Sequence, residues 1–145
     1  LWMSLNPHYI IIGECCEEHG SQLEKLYTPY RCPIARVTPK TAILAKLFSN
    51  AYLSTAISFW NEMWLISKKE KDVSTYEIGR TVSLEPRIPT HGATMHGMPY
   101  SGKCLPKDMN HLIEYAESLG VDPVLLKAVR EVNEKVKRKL KNSNV

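Results

Sequence analysis

Eight consecutive residues, Ser101-Gly102-Lys103-Cys104-Leu105-Pro106-Lys107-Asp108, gather a thiol, two ammonium groups and a carboxylate. A cysteine at a Gly-containing turn just ahead of a helix lies near unpaired backbone N–H groups and the positive end of the helix dipole. Lys103 and Lys107 act in the same direction, so the reactive thiolate is favoured. Pro106 suits the first helical turn, and Asp108, four residues after the thiol, is placed to hold a water or orient a neighbour. The spacing fits nucleophilic chemistry, and it fits equally an ordinary loop thiol beside a capped helix.

The elements that must position these groups are mostly helical. The 145 residues allow one domain of ordinary size, and 43% hydrophobic content is enough to fill a core. The net charge of +4 is modest, and its basic residues collect near the end, at Lys135, Lys137, Arg138, Lys139 and Lys141. No aromatic residues interleave with that run, so it reads as a solvated helix end rather than a nucleic-acid surface. Cys15, Cys16, Cys32 and Cys104 form no Cys-x-x-Cys pairs, and no signal peptide points to an oxidising compartment. A zinc cage or disulfide framework is therefore not expected, and a cytoplasmic protein is. His91 and His96 lack a carboxylate or thiol at fixed spacing, so no metal site is expected there either. No apolar run is long enough to span a membrane.

His8 to Gly13 has the β-branched pattern of a buried strand, Glu17 to Leu26 has helical spacing, and Cys32 to Val37 suits a second short strand. Two strands and a helix make a poor sheet alone, so this part is either a small flap or, as we favour, the edge of a larger α/β domain. The opening Leu1-Trp2-Met3 leads almost directly into the strand and reads like the middle of a longer chain.

From Thr38 the character changes. Thr38 can cap and Pro39 suits a first turn, and neither glycine nor proline follows from Lys40 to about Lys68. This predicts one helix of roughly 28 residues, about 42 Å long. Its apolar residues go most of the way round, from Ile43 and Leu44 through Phe48, Tyr52, Phe59 and Trp60 to Leu65, which asks for burial on nearly all sides. A chain this small has little to cover it, so a homodimer through the Lys40–Lys68 helix is expected. Lys46 and Asn50, four apart, share one face. Further helices are expected near Val73 to Val82, with Asp72 or Ser74 as cap, from Asp108 to Leu119 with Gly120 as stop, and from Asp122-Pro123 onward, the last nine residues fraying. No Gly-x-Gly-x-x-Gly fingerprint occurs.

Taken in order, four motifs resemble the middle of the UDP-glucose/GDP-mannose dehydrogenase family. They are Pro7 to Glu14, a strand near the end of an NAD-binding domain; Thr41 to Leu53 with Phe59-Trp60-Asn61-Glu62, the long dimerisation helix; Glu85-Pro86-Arg87-Ile88, the Asp-x-Arg-Ile turn; and Gly102-Lys103-Cys104-Leu105-Pro106-Lys107-Asp108, the Gly-x-Cys-x-Pro-Lys-Asp signature. The fold implied is mainly α, a helical dimerisation domain around one long buried helix, with a small α/β remnant at the N-terminus. Residues 1–37 would be the edge of an NAD-binding α/β domain and residues 38–145 the central helical domain.

The resemblance implies oxidation of a nucleotide sugar at C6 with two NAD molecules, UDP-glucose fitting first and GDP-mannose as alternative. Cys104 would be the nucleophile, passing from thiohemiacetal to thioester. Lys46 and Asn50 would serve the developing oxyanion and Asp108 the hydrolytic water, with Arg87, Tyr100 and Gly102 at the substrate. The loop Gly97-Met98-Pro99-Tyr100-Ser101-Gly102-Lys103 departs from the family's Gly-Pro-Gly-Tyr-Gly-Gly-Ser, with Pro99 and Ser101 in place of two glycines. The chain alone is expected neither to bind NAD nor to turn over substrate. The rival expectation is a stand-alone dimerisation or interaction module without catalysis.

Overall fold

The computed structural model describes residues 6–93 and 96–143. Among them are five helices and a two-stranded parallel sheet, so the expected mainly helical architecture with a small α/β part at the N-terminus is what the chain adopts. The chain divides into two compact units, Leu1–Lys46 and Leu47–Val145.

In the first unit, β1 (Ile10–Gly13) and β2 (Ile34–Val37) run parallel, with Ile10 opposite Ile34 and Gly13 opposite Val37. Parallel strands need a crossover, and α1 (Glu17–Tyr27) with a short 3-10 turn supplies it. Ile12 is buried between these elements. Arg36 ties them together from β2: its guanidinium donates to Glu14 Oε2 at 2.7 Å, Ser21 Oγ at 3.0 Å, Glu24 Oε2 at 3.1 Å and the Glu17 carbonyl at 2.9 Å. The two carboxylates hold its pKa above the ordinary arginine value, the Glu14 bond contributing most. The helix α2 (Pro39–Ser67) begins here, with the Thr41 N–H donating to the Thr38 hydroxyl at 3.3 Å as the sequence predicts.

The second unit contains the rest of α2, then α3 (Thr75–Val82), α4 (Cys104–Ser118) and α5 (Val124–Ser143). Its core joins Ala51 and Ile57 of α2 to Tyr100, to Met109, Leu112 and Ile113 of α4, and to Val129 of α5. Burying each of the larger aliphatic side chains contributes roughly 1.5–3 kcal/mol. Ser74 caps α3 by accepting from the Glu77 N–H, while the other expected cap, Asp72, takes a left-handed φ of 59° in the preceding turn. Around Gly120 the Gly120 N–H reaches the Glu117 carbonyl and the Val121 N–H reaches the Ala116 carbonyl, which ends α4 where expected. α5 continues to Ser143, so the fraying expected over the last nine residues does not begin at Lys137; Asn144 and Val145 lie outside the described residues.

Helix α2 is covered on only part of its surface within the single chain. Its buried positions include Ser54, Ser58 and Asn61, whereas Phe48, Tyr52, Phe59 and Ile66 stand more than half exposed. The small polar residues can be buried because each finds a partner: Ser54 Oγ donates to the Asn50 carbonyl at 2.9 Å, and Ser58 Oγ to the Val129 carbonyl of α5 at 3.1 Å. Ser58 thereby ties α2 to α5, and Ile57 and Trp60 are buried on α2 while Phe48, Tyr52, Phe59 and Ile66 are turned outward. No helix among the described residues is long and apolar enough to cross a membrane.

Candidate active site

Within the second unit, Cys104 is the first residue of α4 and is exposed. Asp108 follows one turn later on the same helix and is only 1% exposed. A buried carboxylate must be hydrogen-bonded to be tolerated. Asn50 provides that bond from α2, its Nδ2 donating to Asp108 Oδ2 at 2.6 Å, and the Lys107 ammonium lies 3.4 Å from Oδ1. One N–H of the Asn50 amide is thereby committed, and the same nitrogen carries a second. Two residues 58 positions apart in sequence, singled out separately, are thus in direct contact.

The loop ahead of Cys104 is held by another α2 residue. Asn61, fully buried, accepts from the Gly97 N–H at 2.7 Å and donates to the Met98 carbonyl at 2.8 Å. From the other side Asn133 Nδ2 of α5 donates to the Tyr100 carbonyl at 3.2 Å. The Tyr100 ring itself is packed in the core, and burial raises its phenol above the ordinary 10.0, with Glu134 adding to the effect and Arg130 opposing it. Gly97 and Gly102 take φ of 82° and 79°, the left-handed region that glycine tolerates. Pro99 and Ser101 are not at positive φ, so the two positions that lost glycine are not the ones that need it.

Sequence reasoning missed Asn61 and Asn133 as loop clamps. A signal for the first existed: Asn50, Ser54, Ser58 and Asn61 recur at helical spacing on a helix otherwise dominated by apolar residues.

Arg87 stands apart from the Asn50–Asp108 pair. Its exposed guanidinium donates to Glu85 Oε1 at 2.7 Å, which holds the Glu85 carboxyl below its usual range. It borders a cavity of about 330 Å³ walled by Tyr52, Phe59, Trp60, Ile88 and His91. His91 is exposed there, while His96 is half-buried with Nε2 lacking a partner. A larger concavity, about 600 Å³, is lined by Tyr100, Pro106 and residues of α5, and neither Cys104 nor Asp108 lines it. Lys46 lies on α2 in the first unit, four residues before Asn50.

A helical unit built on one long helix, with an exposed cysteine opening a second helix and an asparagine–aspartate pair behind it, defines a class of central domain. Residues 40–135 match the model of the UDP-glucose/GDP-mannose dehydrogenase family, central domain, and the chain belongs to that family. It is 34% identical over 127 residues to the UDP-glucose 6-dehydrogenase YwqF of Bacillus subtilis, covering 86% of this chain and 28% of that protein. It is 36% identical over 138 residues to a UDP-glucose 6-dehydrogenase of Pseudomonas aeruginosa, covering 92% of this chain and 30% of the relative. Among solved structures, a UDP-glucose dehydrogenase from Pyrobaculum islandicum matches with a TM-score of 0.87 at 36% identity, over 93% of this chain and 31% of that one. The chain therefore spans under a third of the length of these relatives.

Proposed function

We propose that this chain is the central part of an NAD-dependent dehydrogenase that oxidises UDP-glucose to UDP-glucuronate, with Cys104 as nucleophile. The observation that carries this reading is the placement of exposed Cys104 one turn ahead of buried Asp108, with Asn50 bonded to that carboxylate. A solvated loop thiol would need neither partner. The relatives' printed names supply the substrate, and GDP-mannose is the alternative.

NAD, the hydride acceptor that this family implies, is not fitted by the residues here. The β1–α1–β2 unit carries no Gly-x-Gly-x-x-Gly turn to cradle a dinucleotide pyrophosphate. The residues present account for the sulfur chemistry between oxidations. The Cys104 thiolate adds to the C6 aldehyde carbon, the carbonyl electron pair moves to oxygen, and that oxygen takes a proton. The second Asn50 N–H and the Lys46 ammonium serve the developing negative charge. Once the adduct is at the acyl level, water held by Asp108 attacks it, the C–S bond breaks and the thiolate leaves with the carboxylate formed. Tyr100 and Gly102 shape the loop beside the sugar.

Phe48, Tyr52, Phe59 and Ile66, spaced 4, 7 and 7 residues apart and exposed, support a homodimer through α2, and Arg87, which shares a cavity with Tyr52 and Phe59, would lie beside that seam. The test is NAD reduction by the full-length protein with UDP-glucose. Cys104→Ala should abolish it while Cys32→Ala does not; turnover surviving Cys104→Ala would refute the nucleophile. A full-length protein that binds the nucleotide sugar without turnover would favour the non-catalytic module instead.

A further inference from the structure

The bend between β1 and α1 brings three soft donor atoms together outside the site described above. Cys15 Sγ and Cys16 Sγ each lie 3.2 Å from His19 Nδ1, and the two sulfurs are 4.0 Å apart. All three residues are exposed, and all three atoms lie within 4.8 Å of one another.

Local structure accounts for the juxtaposition. Cys16 is the extended N-cap of α1, at φ −159° and ψ 162°, and His19 occupies the first helical turn, where its ring reaches both sulfurs. An N-cap is normally an oxygen acceptor for the helix N–H groups; here sulfur stands in that place and makes no capping bond. A single ring nitrogen carries either one hydrogen or one lone pair, so it cannot serve two sulfurs fully at once. Three lone-pair donors meeting at one point are better satisfied by a cation. On a tetrahedral zinc, with Zn–S of about 2.3 Å and Zn–N of about 2.0–2.1 Å, sulfurs stand roughly 3.8 Å apart and sulfur and nitrogen about 3.6 Å apart. The observed 4.0, 3.2 and 3.2 Å each fall within about 0.4 Å of those separations.

We propose that Cys15, Cys16 and His19 bind one thiophilic metal ion, zinc being the probe, with a fourth position open to water or an outside ligand. Two thiolates balance the charge of Zn2+, so the exposed site carries no net charge, and the positive end of α1 supports the thiolates rather than repelling the complex. The absence of Cys-x-x-Cys spacing conceals the site in the sequence. Two adjacent cysteines with a histidine three residues on become a common face only where a strand bends into a helix.

The experiment is zinc titration of the reduced, metal-stripped full-length protein against a chromophoric chelator, followed by cobalt substitution. We expect one ion per chain and a sulfur-to-cobalt charge-transfer band. Cys16→Ser and His19→Ala should each weaken uptake by more than the roughly 10–100-fold that follows loss of a mere outer-shell partner. Cys32→Ser should leave it unchanged. These side chains are exposed, so the variants keep the fold, and far-ultraviolet circular dichroism verifies that. No uptake above that of a Cys15→Ser/Cys16→Ser/His19→Ala variant overturns the proposal, as does uptake that depends on Cys104.

Discussion

Asn61 gives the sharpest prediction, because it is fully buried on α2 and both ends of its amide are used on the loop that leads to Cys104. Asn61→Ala removes a bond to the Gly97 N–H and another to the Met98 carbonyl. Each is worth about 0.5–1.5 kcal/mol net, and a buried partner left unpaired costs about 1–3 kcal/mol more. Gly97 is half-buried and Met98 exposed, so water recovers part of that cost. The sum is a destabilisation of about 2–4 kcal/mol, including the space left by the missing amide. Asn61→Asp is the informative companion. It keeps an acceptor for Gly97 but loses the donor for Met98 and buries a charge. At neutral pH it should cost at least as much as alanine, recovering on acidification as the carboxyl gains a proton to donate. The assay is urea unfolding, read as a lower midpoint at unchanged slope, with amide exchange at Gly97 reporting the loop directly. A loss below about 0.5 kcal/mol, the range of ordinary surface changes, would refute the idea that this side chain orders the loop.

The two left-handed glycines of that loop should separate by surroundings. At Gly102 an added Cβ meets nothing within 4 Å, so Gly102→Ala should cost only backbone strain, about 1–2 kcal/mol; at Gly97 it would stand 3.3 Å from the Trp64 ring and cost more. Equal unfolding midpoints for the two variants would contradict this. Because burial raises the Tyr100 phenol above its ordinary 10.0, the neutral form is favoured in the folded state. Its contribution is therefore complete below pH 10.0 and is lost as pH rises through the raised folded value. Tyr100→Phe should weaken the alkaline fall in stability, and an identical alkaline limb in both proteins would exclude it. For the dimer, Phe59→Glu should convert the protein to a monomer by light scattering at micromolar concentration; a wild-type monomer there would rule out the α2 seam.

How far the sequence carried this molecule depended on the range of the interactions concerned. Strands at Ile10–Gly13 and Ile34–Val37 and the start of α2 at Thr38-Pro39 follow from propensities and caps a few residues long, and were legible. The Cys104–Asp108 turn was legible for the same reason. What escaped was the sidedness of α2. Counting apolar residues around the helix asked for burial on nearly all sides, with a second copy to supply part of it; within the chain, Ser54, Ser58 and Asn61 are buried beside Ile57 and Trp60, while Phe48, Tyr52, Phe59 and Ile66 face outward. Periodicity reports which positions share a face; it does not report which face the core selects when small polar side chains can satisfy themselves on local carbonyls.

The same reasoning explains why the site pairs were only half visible. Asn50 and Asp108 were each chosen by motif, but their 2.6 Å bond spans 58 residues and depends on how closely α4 approaches α2. Ser54, one turn after Asn50 on α2, is fully buried. A bulky replacement at Ser54 would add apolar surface, yet it would push α2 outward, lengthen the Asn50–Asp108 bond and leave a buried carboxylate short of a donor. A small side chain at Ser54 is therefore compatible with the Asn50–Asp108 bond where a bulky one is not.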